Sequence, residues 1–345
     1  SDLPSVTILI AAYNEEDVIE ETLLNKADLD YPADELEVIV VSDESMDRTD
    51  EIVKHVASKS DIPIRLFRQE HRMGKTAGLN RIVPEASGEI IVFSDANSMY
   101  AKNALKKLVR NFADPSIGYV TGKMVYTNPD GSLVGDGCSS YMKYENWIRD
   151  KETRVGTIVG VDGGIDAMRK SLYESLNPDQ LPDFVQPLKV IEKGYRVVYE
   201  PEAILKEEVL SKPGNEYAMR VRVTLRALWA LRDMKALFNP VKFSLFSFQL
   251  VSHKLLRYLA FIPIILCFLL NVFLLGEGAI YVAIFLMQLA FYLLAWRGML
   301  AQNKATNPIY FALPYYFTLL NVACMTASLR FIKGDKQVIW KPRVG

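Results

Sequence analysis

Short apolar runs recur through the first two-thirds of the chain, each closing on a polar cluster and followed by a stretch of helical periodicity. Residues 6–12 (Val-Thr-Ile-Leu-Ile-Ala-Ala) and Val38–Val41 are β-rich and apolar, and Ile64–Phe67, Ile90–Phe93 and Tyr119–Val125 repeat the pattern. Between them Glu15–Lys26, Asp47–Ser58 and the segments near 75–85 and 101–112 have helical character. Buried strands alternating with helices predict an α/β fold on a doubly wound, mostly parallel sheet. Ligands bind such sheets beyond the carboxyl ends of the strands, so chemistry is expected just after each strand.

The pattern changes near residue 256. From Leu256 to Leu329 only Arg257, Glu277, Arg297 and Lys304 are charged, in 74 positions, whereas the other 271 positions hold 77 charged residues. Tyr258–Gly276, Gly278–Trp296 and Ala305–Leu329 carry no charge. Each approaches the ~20 residues that a helix needs to cross a bilayer's hydrocarbon core. The alternative, three buried helices of a soluble core, would call for a polar face that these stretches lack. Tyr258, Tyr281, Trp296 and Tyr310 at their edges suit an interfacial aromatic belt. Upstream, Phe243–Arg257 mixes Phe, Leu and Val with Ser, Gln, His253 and Lys254, as an interfacial helix does.

The expected organisation is a charged domain over 1–213, amphipathic interfacial helices over 214–257, and transmembrane helices with a basic tail over 258–345. Arg330, Lys333, Lys336, Lys341 and Arg343 favour a cytosolic tail, which three full spans leading out of a cytosolic domain would not allow. Pro314 and Asn321 mark the third stretch as the one expected to be broken, re-entrant or interfacial.

Charge and cysteine narrow the function classes. Lys and Arg total 40 against 41 Asp and Glu, a net charge of −1, which excludes a dedicated nucleic-acid binder. Cys138, Cys267 and Cys324 show no paired or metal spacing and read as structural thiols of a reducing compartment. His55, His71 and His253 are too scattered for a zinc site.

The strand ends are acidic and polar. They read Tyr13-Asn14-Glu15-Glu16 after the first strand and Ser42-Asp43-Glu44-Ser45-Met46-Asp47-Arg48-Thr49 after the second. Glu70-His71-Arg72-Met73-Gly74-Lys75-Thr76 follows the third strand and Ser94-Asp95-Ala96-Asn97 the fourth. One Asp after a strand can be a helix N-cap; four polar strand ends on one rim point to a site. Gly74-Lys75-Thr76 imitates the end of a phosphate-binding P-loop, but Gln69 stands where that motif needs its first Gly, which excludes the ATPase reading. Lys75 can still meet a diphosphate as a point charge.

These residues resemble those of the family-2 glycosyltransferases. The resemblance is carried by Ala12-Tyr13-Asn14-Glu15, Asp43…Asp47, Arg72-x-Gly74-Lys75-x-x-Gly78-Leu79-Asn80 and Ser94-Asp95-Ala96-Asn97. Val161-Asp162-Gly163-Gly164-Ile165-x-Ala167-Met168-Arg169 and Asp183-Phe184-x-x-Pro187-Leu188 continue it in order, over roughly residues 4–235. The apolar third resembles the C-terminal part of the family's integral-membrane members, such as cellulose and hyaluronan synthases.

The resemblance implies a GT-A fold, a doubly wound mixed sheet followed by interfacial and transmembrane helices. It implies a nucleotide-diphosphate sugar donor, usually a UDP-sugar, and a glycan or lipid-linked acceptor at the membrane lipid. Asn14, Glu15 and Asp43 would hold the nucleoside. Asp95, with Asn97 as a neutral oxygen donor, would hold Mg²⁺ or Mn²⁺ on the diphosphate. Lys75, Arg222 and Arg226 would stabilise charge on the departing diphosphate. Arg222 and Arg226 form an i, i+4 pair on the predicted helix Glu216–Leu237, where they could equally be the basic face of a membrane-surface helix. The family's processive members carry Gln-x-x-Arg-Trp here; Arg226 maps onto that motif and Trp229 is displaced.

Asp183 would be the general base for an inverting attack, or else a helix N-cap. On the predicted helix Tyr141–Lys151, Tyr144 and Trp147 read either as a sugar-stacking platform or as core. The leading expectation is an inverting glycosyltransferase of the plasma or inner membrane with its catalytic domain in the cytosol, extending a polysaccharide. A single-transfer enzyme acting on a lipid carrier and a catalytically silent glycan-binding or scaffold subunit are the alternatives.

Overall fold

The structure, a computed structural model, describes residues 3–127, 133–208, 213–301 and 309–336. It divides into two compact units, one of residues up to Val125 with Tyr144–Glu207, the other of Tyr126–Lys143 with Glu208–Lys336.

The first unit is built on an eight-stranded sheet with the order β3-β2-β1-β4-β7-β6-β8-β5. Its strands are β1 (Val6–Ala12), β2 (Leu36–Ser42), β3 (Ile64–Arg68), β4 (Ile90–Asp95), β5 (Met99–Tyr100), β6 (Ile117–Thr127), β7 (Asp166–Arg169) and β8 (Arg196–Glu208). The first four and β6 are the strands that the apolar runs predict; the first four pair in parallel, with Ile8 of β1 level with Val38 on one side and Val92 on the other. Ile8, Ile10, Val38, Ile39, Val40, Ile90, Ile91 and Val92 are fully buried, which is why these runs do not alternate with polar residues. The chain leaves β1 for β2 and β3 on one side and returns to β4 on the other, so a crevice opens at the carboxyl ends of β1 and β4.

The crossovers are α1 (Ile19–Ala27), α2 (Thr49–Ala57) and α3 (Lys75–Ile82), followed by α4 (Ala104–Val109). The other half of the sheet is antiparallel: β7 runs against both β4 and β6, and β5 against β8. The sheet is therefore mixed. β5 and β7 are too short to show a period, and β8 carries charges and Pro201 within its run. Helix α5 (Leu133–Val155) is longer than Tyr141–Lys151, and α6 (Pro182–Glu192) opens at Pro182.

In the second unit α7 (Pro213–Asp233) packs along the helix Ile309–Ile332. Val221 and Leu225 meet Ala323 and Ala327, flanked by Tyr217, Trp229 and Phe331. A Cβ on Gly137 would lie 2.5 Å from the Tyr316 side chain, so only glycine lets these backbones approach. Glu216 and Tyr316, both buried, form a triad with the half-buried Arg220: Arg220 Nε donates to Glu216 at 2.7 Å, as does the Tyr316 hydroxyl at 2.7 Å.

Among the described residues two helices are long and apolar enough to cross a membrane, Ala279–Ala301 and Tyr310–Ile332. Ile280, Met287 and Leu300 on the first are more than 60% exposed, which excludes the soluble-core alternative for it. A bend falls elsewhere: Leu245–Tyr258 and Phe261–Phe273 meet at 60° at the start of the first charge-free stretch, where the expected interfacial segment ends. Of the expectations for the third stretch, a broken helix is corrected, because Ile309–Ile332 runs on through Pro314 and Asn321. Pro314 lies in the second turn, where its missing N–H removes one helical bond, and Asn321 donates back to the Phe317 carbonyl at 2.9 Å. Lys341 and Arg343 of the expected basic tail lie outside the described residues.

Candidate active site

All four polar strand ends meet at the carboxyl rim of the parallel strands. Asn14 follows β1 with φ 54, a left-handed conformation that Asn tolerates. Its Oδ1 accepts from Met46 N at 2.8 Å, and its own N–H donates to Ser45 Oγ at 3.2 Å. Glu15 N donates to Thr49 Oγ1 at 2.8 Å, so the loops after β1 and β2 are laced together.

Asp43 is 8% exposed and organises the next loop. Its Oδ1 accepts from Gln69 Nε2 at 2.8 Å and from the Met73 and Gly74 amides at 2.9 Å. Oδ2 lies 3.7 Å from Arg72 Nε, and the Arg72 guanidinium covers the Tyr13 ring at 3.7 Å. Sequence reasoning left Arg72 without a role; the stack makes it, with Tyr13, a flat cationic shelf on the rim.

Gly74, at φ 86, turns the chain into α3 and delivers Lys75 to the rim. Lys75 Nζ donates to Asp95 Oδ1 at 2.8 Å, with the two side chains 30% and 35% exposed. Burial pulls the ammonium's pKa down, but Asp95 and Asp183 outweigh it and raise the pKa, so Lys75 stays charged. Both carboxylates thus act on one ammonium. Asn97 Nδ2 points to Glu207 Oε1 at 3.4 Å.

Helix α3 also braces the segment that leads to Asp183. Asn80 Nδ2 donates to the Leu176 carbonyl at 2.7 Å, while its Oδ1 accepts from Leu176 N at 3.0 Å and from the Tyr173 hydroxyl at 2.9 Å. Thr76 Oγ1 donates to the Gln180 carbonyl at 2.9 Å. Asp183 then opens α6, in the first turn, where a carboxylate is favoured by the helix dipole. Gly163, at φ +85, lies against it: a Cβ there would be 2.5 Å from Asp183 Oδ2.

Under that contact lies a carboxyl that the sequence did not single out. Asp166 is fully buried and accepts from the Gly163 amide at 3.0 Å, the Tyr119 hydroxyl at 2.9 Å and Thr121 Oγ1 at 2.5 Å. Burial, with the Asp162 and Asp183 charges, pushes it up to about 7. Asp162 is paired with Arg149 at 2.6 Å in the interior. The signal for Asp166 was the unassigned position inside Val161…Arg169, which has no polar pattern of its own.

Tyr144 and Trp147 are 54% and 58% exposed and stacked at 6.4 Å, so the core alternative does not hold. Arg222 and Arg226 lie on α7 in the second unit, Arg226 only 9% exposed. Trp229 donates to the Asp335 carbonyl at 2.8 Å and packs edge-on against Phe331 at 4.8 Å, within the same unit.

Comparison with known proteins places this geometry. Residues 7–176 match the family described as Glycosyl transferase family 2. A poly-beta-1,6-N-acetyl-D-glucosamine synthase of Staphylococcus aureus is 29% identical over 257 residues, 71% of this chain and 60% of that protein. The probable glycosyltransferase YdaM of Bacillus subtilis is 32% identical over 218 residues, 60% of this chain and 51% of that protein. The chain thus spans about 60% or less of the length of these relatives. The mannosyltransferase PcManGT from Pyrobaculum calidifontis, solved with GDP-Man and Mn²⁺, superposes with a TM-score of 0.73 at 24% identity, covering 96% of this chain and 88% of that one. That likeness shows a shared GT-A fold. The motifs in order, the mixed sheet and the carboxylate-lined rim agree with these matches, and residues 7–176 form a Glycosyl transferase family 2 domain.

Proposed function

We propose that the chain transfers a sugar, with inversion, from a nucleotide-diphosphate donor to a glycan or lipid-linked acceptor at a membrane, with the sheet unit in the cytosol. The observation that carries this reading is the Lys75–Asp95 pair at the switch point of the sheet, among the polar ends of its four parallel strands. The likeness to a poly-beta-1,6-N-acetyl-D-glucosamine synthase favours N-acetylglucosamine as the transferred sugar and a growing polysaccharide as acceptor.

Asn14, Glu15, Asp43 and the Arg72–Tyr13 shelf would bind the nucleoside, and Lys75 the diphosphate. Asp95 and Asn97 supply hard oxygen donors suited to Mg²⁺ or Mn²⁺. Among the described residues no three His, Cys, Asp or Glu converge as a metal site, so the ion would need diphosphate oxygens to complete its shell. A bound divalent ion would neutralise charge growing on the leaving diphosphate. Lys75, which holds Asp95 now, would turn to that diphosphate.

Asp183 accepts the proton of the acceptor hydroxyl as its oxygen attacks the anomeric carbon. The bond to the diphosphate breaks, and the nucleoside diphosphate leaves with the electron pair. Tyr144 and Trp147 offer the acceptor sugar a ring face.

The test is a donor screen on full-length protein in detergent, with UDP-N-acetylglucosamine, UDP-glucose and GDP-mannose, reading nucleotide release and product mass. Asp183→Asn should lower transfer at least 10³-fold and leave nucleotide binding within twofold. Near-normal turnover by that variant removes Asp183 from the mechanism. A ladder of products supports extension, and one discrete glycolipid refutes it.

A further inference from the structure

Helix α1 makes a set of contacts that core packing does not explain. Ile19, Leu23 and Lys26 fall at i, i+4 and i+7, the stripe that α1 turns to the interior, and all three are 0% exposed. A Leu or Met at the last position would fill the space. An ammonium there carries a desolvation cost, and burial holds the Lys26 pKa well below its usual value. Among the described residues no carboxylate partners it. Nζ donates instead to the Ser98 carbonyl and to Asn25 Oδ1 at 3.1 Å, and it lies 3.7 Å from the centroid of the Tyr100 ring.

Two neighbours on α1 reach the same segment. Thr22 Oγ1 donates to the Ala96 carbonyl at 2.6 Å, and Asn25 Nδ2 to the Tyr100 carbonyl at 2.9 Å. Asn25 Oδ1 accepts the Tyr100 amide at 2.8 Å. Within the segment Ser98 N turns back to the Asp95 carbonyl at 3.2 Å, and its far end pairs with β8, where Ala101 N donates to the Ile204 carbonyl at 2.9 Å. Ala96, Ser98 and Tyr100 are buried against this set, whereas Asp95, Asn97 and Met99 stay partly exposed.

We propose that Thr22, Asn25 and Lys26 are positioning residues: they clamp Ala96, Ser98 and Tyr100 from below and so hold Asp95 and Asn97 outward, toward the metal-bound diphosphate. A slip of one residue would turn Asp95 and Asn97 into the core and lose the oxygen donors. The clamp rests on the donor-site reading above. It adds that the affinity for the metal–nucleotide complex is set partly by a helix whose side chains do not touch it.

Thr22→Val removes one hydroxyl and keeps the shape; Lys26→Met keeps the length and removes the ammonium. Both are made in full-length protein in detergent. Hydrogen exchange is followed on peptides spanning 96–101, and Mn²⁺ binding in the presence of UDP by the loss of the free-ion spin-resonance signal. In both variants exchange over 96–101 should rise at least tenfold. Mn²⁺–UDP affinity should fall about tenfold while UDP alone binds within twofold of wild type. A lower unfolding temperature with unchanged exchange and unchanged Mn²⁺–UDP affinity would mean packing alone and overturns the proposal. Asp95→Asn is the control for the site itself: if it binds Mn²⁺–UDP as wild type does, the donor reading of Asp95 fails, while exchange still decides the clamp.

Discussion

Gly163→Ala tests whether Asp183 must sit where it does, without changing any reacting group. The added Cβ would lie 2.5 Å from Oδ2, 3.0 Å from Cβ and 3.1 Å from Cγ of Asp183. Rotating the carboxylate relieves only the first contact, so the whole side chain has to retreat by about 1 Å to reach ordinary separations near 3.5 Å. The alanine must also hold φ near +85°, which costs about 1–2 kcal/mol. A displacement of ~1 Å at a reacting group can cost ~10²-fold in rate.

The expected result is a kcat about 100-fold lower, a donor KM within twofold, and an unfolding temperature a few degrees lower. The assay is nucleotide release against donor concentration with the best donor from the screen, alongside calorimetric binding of UDP. A kcat within threefold of wild type, in protein that still folds and binds UDP, refutes Asp183 as a precisely placed base. A collapse of UDP binding instead would mean that Gly163 supports the nucleotide side.

Asp166 makes a pH prediction of definite sign. Its folded-state pKa of about 7 lies above its unfolded value, so between about pH 4 and 7 the folded chain keeps a proton that the unfolded chain releases. Its contribution is therefore present in acid and lost as pH rises through that window, by at most about 4 kcal/mol. Asp166→Asn should flatten that part of the profile in urea unfolding at pH 5 and pH 8, and an unchanged difference refutes the assignment. In the second unit, Arg220→Met leaves Glu216 buried without its guanidinium and should cost about 3–5 kcal/mol. Glu216→Gln added to it should restore most of that stability; thermal unfolding in detergent measures both, and a single-variant loss under about 1 kcal/mol removes the triad as a structural element.

The four parallel strands were legible because each is a continuous apolar run closing on a polar cluster, and that pattern has one main structural meaning. The rim residues followed from it, since strand ends share a side of a parallel sheet. Asp166 and Lys26 were not legible. Each sits in a local pattern that reads as ordinary strand or helix, and its importance comes from partners 45 and 72 residues away. That the third stretch's helix runs unbroken through Pro314 was not legible for a related reason. Proline content signals a lost hydrogen bond, but whether the helix bends depends on where in the helix that bond lies and on what packs beside it.

By itself, then, the sequence determined the α/β class, the charge-poor third, the polar rim at the strand ends and the family whose motifs it carries. These rest on short-range periodicity and on residue types, which one chain displays in order. The tertiary structure alone decided the antiparallel half of the sheet, the Lys75–Asp95 pair, the glycine wedge on Asp183 and the clamp beneath Asp95. Each joins residues far apart in the chain, through burial and hydrogen bonding that no local pattern encodes.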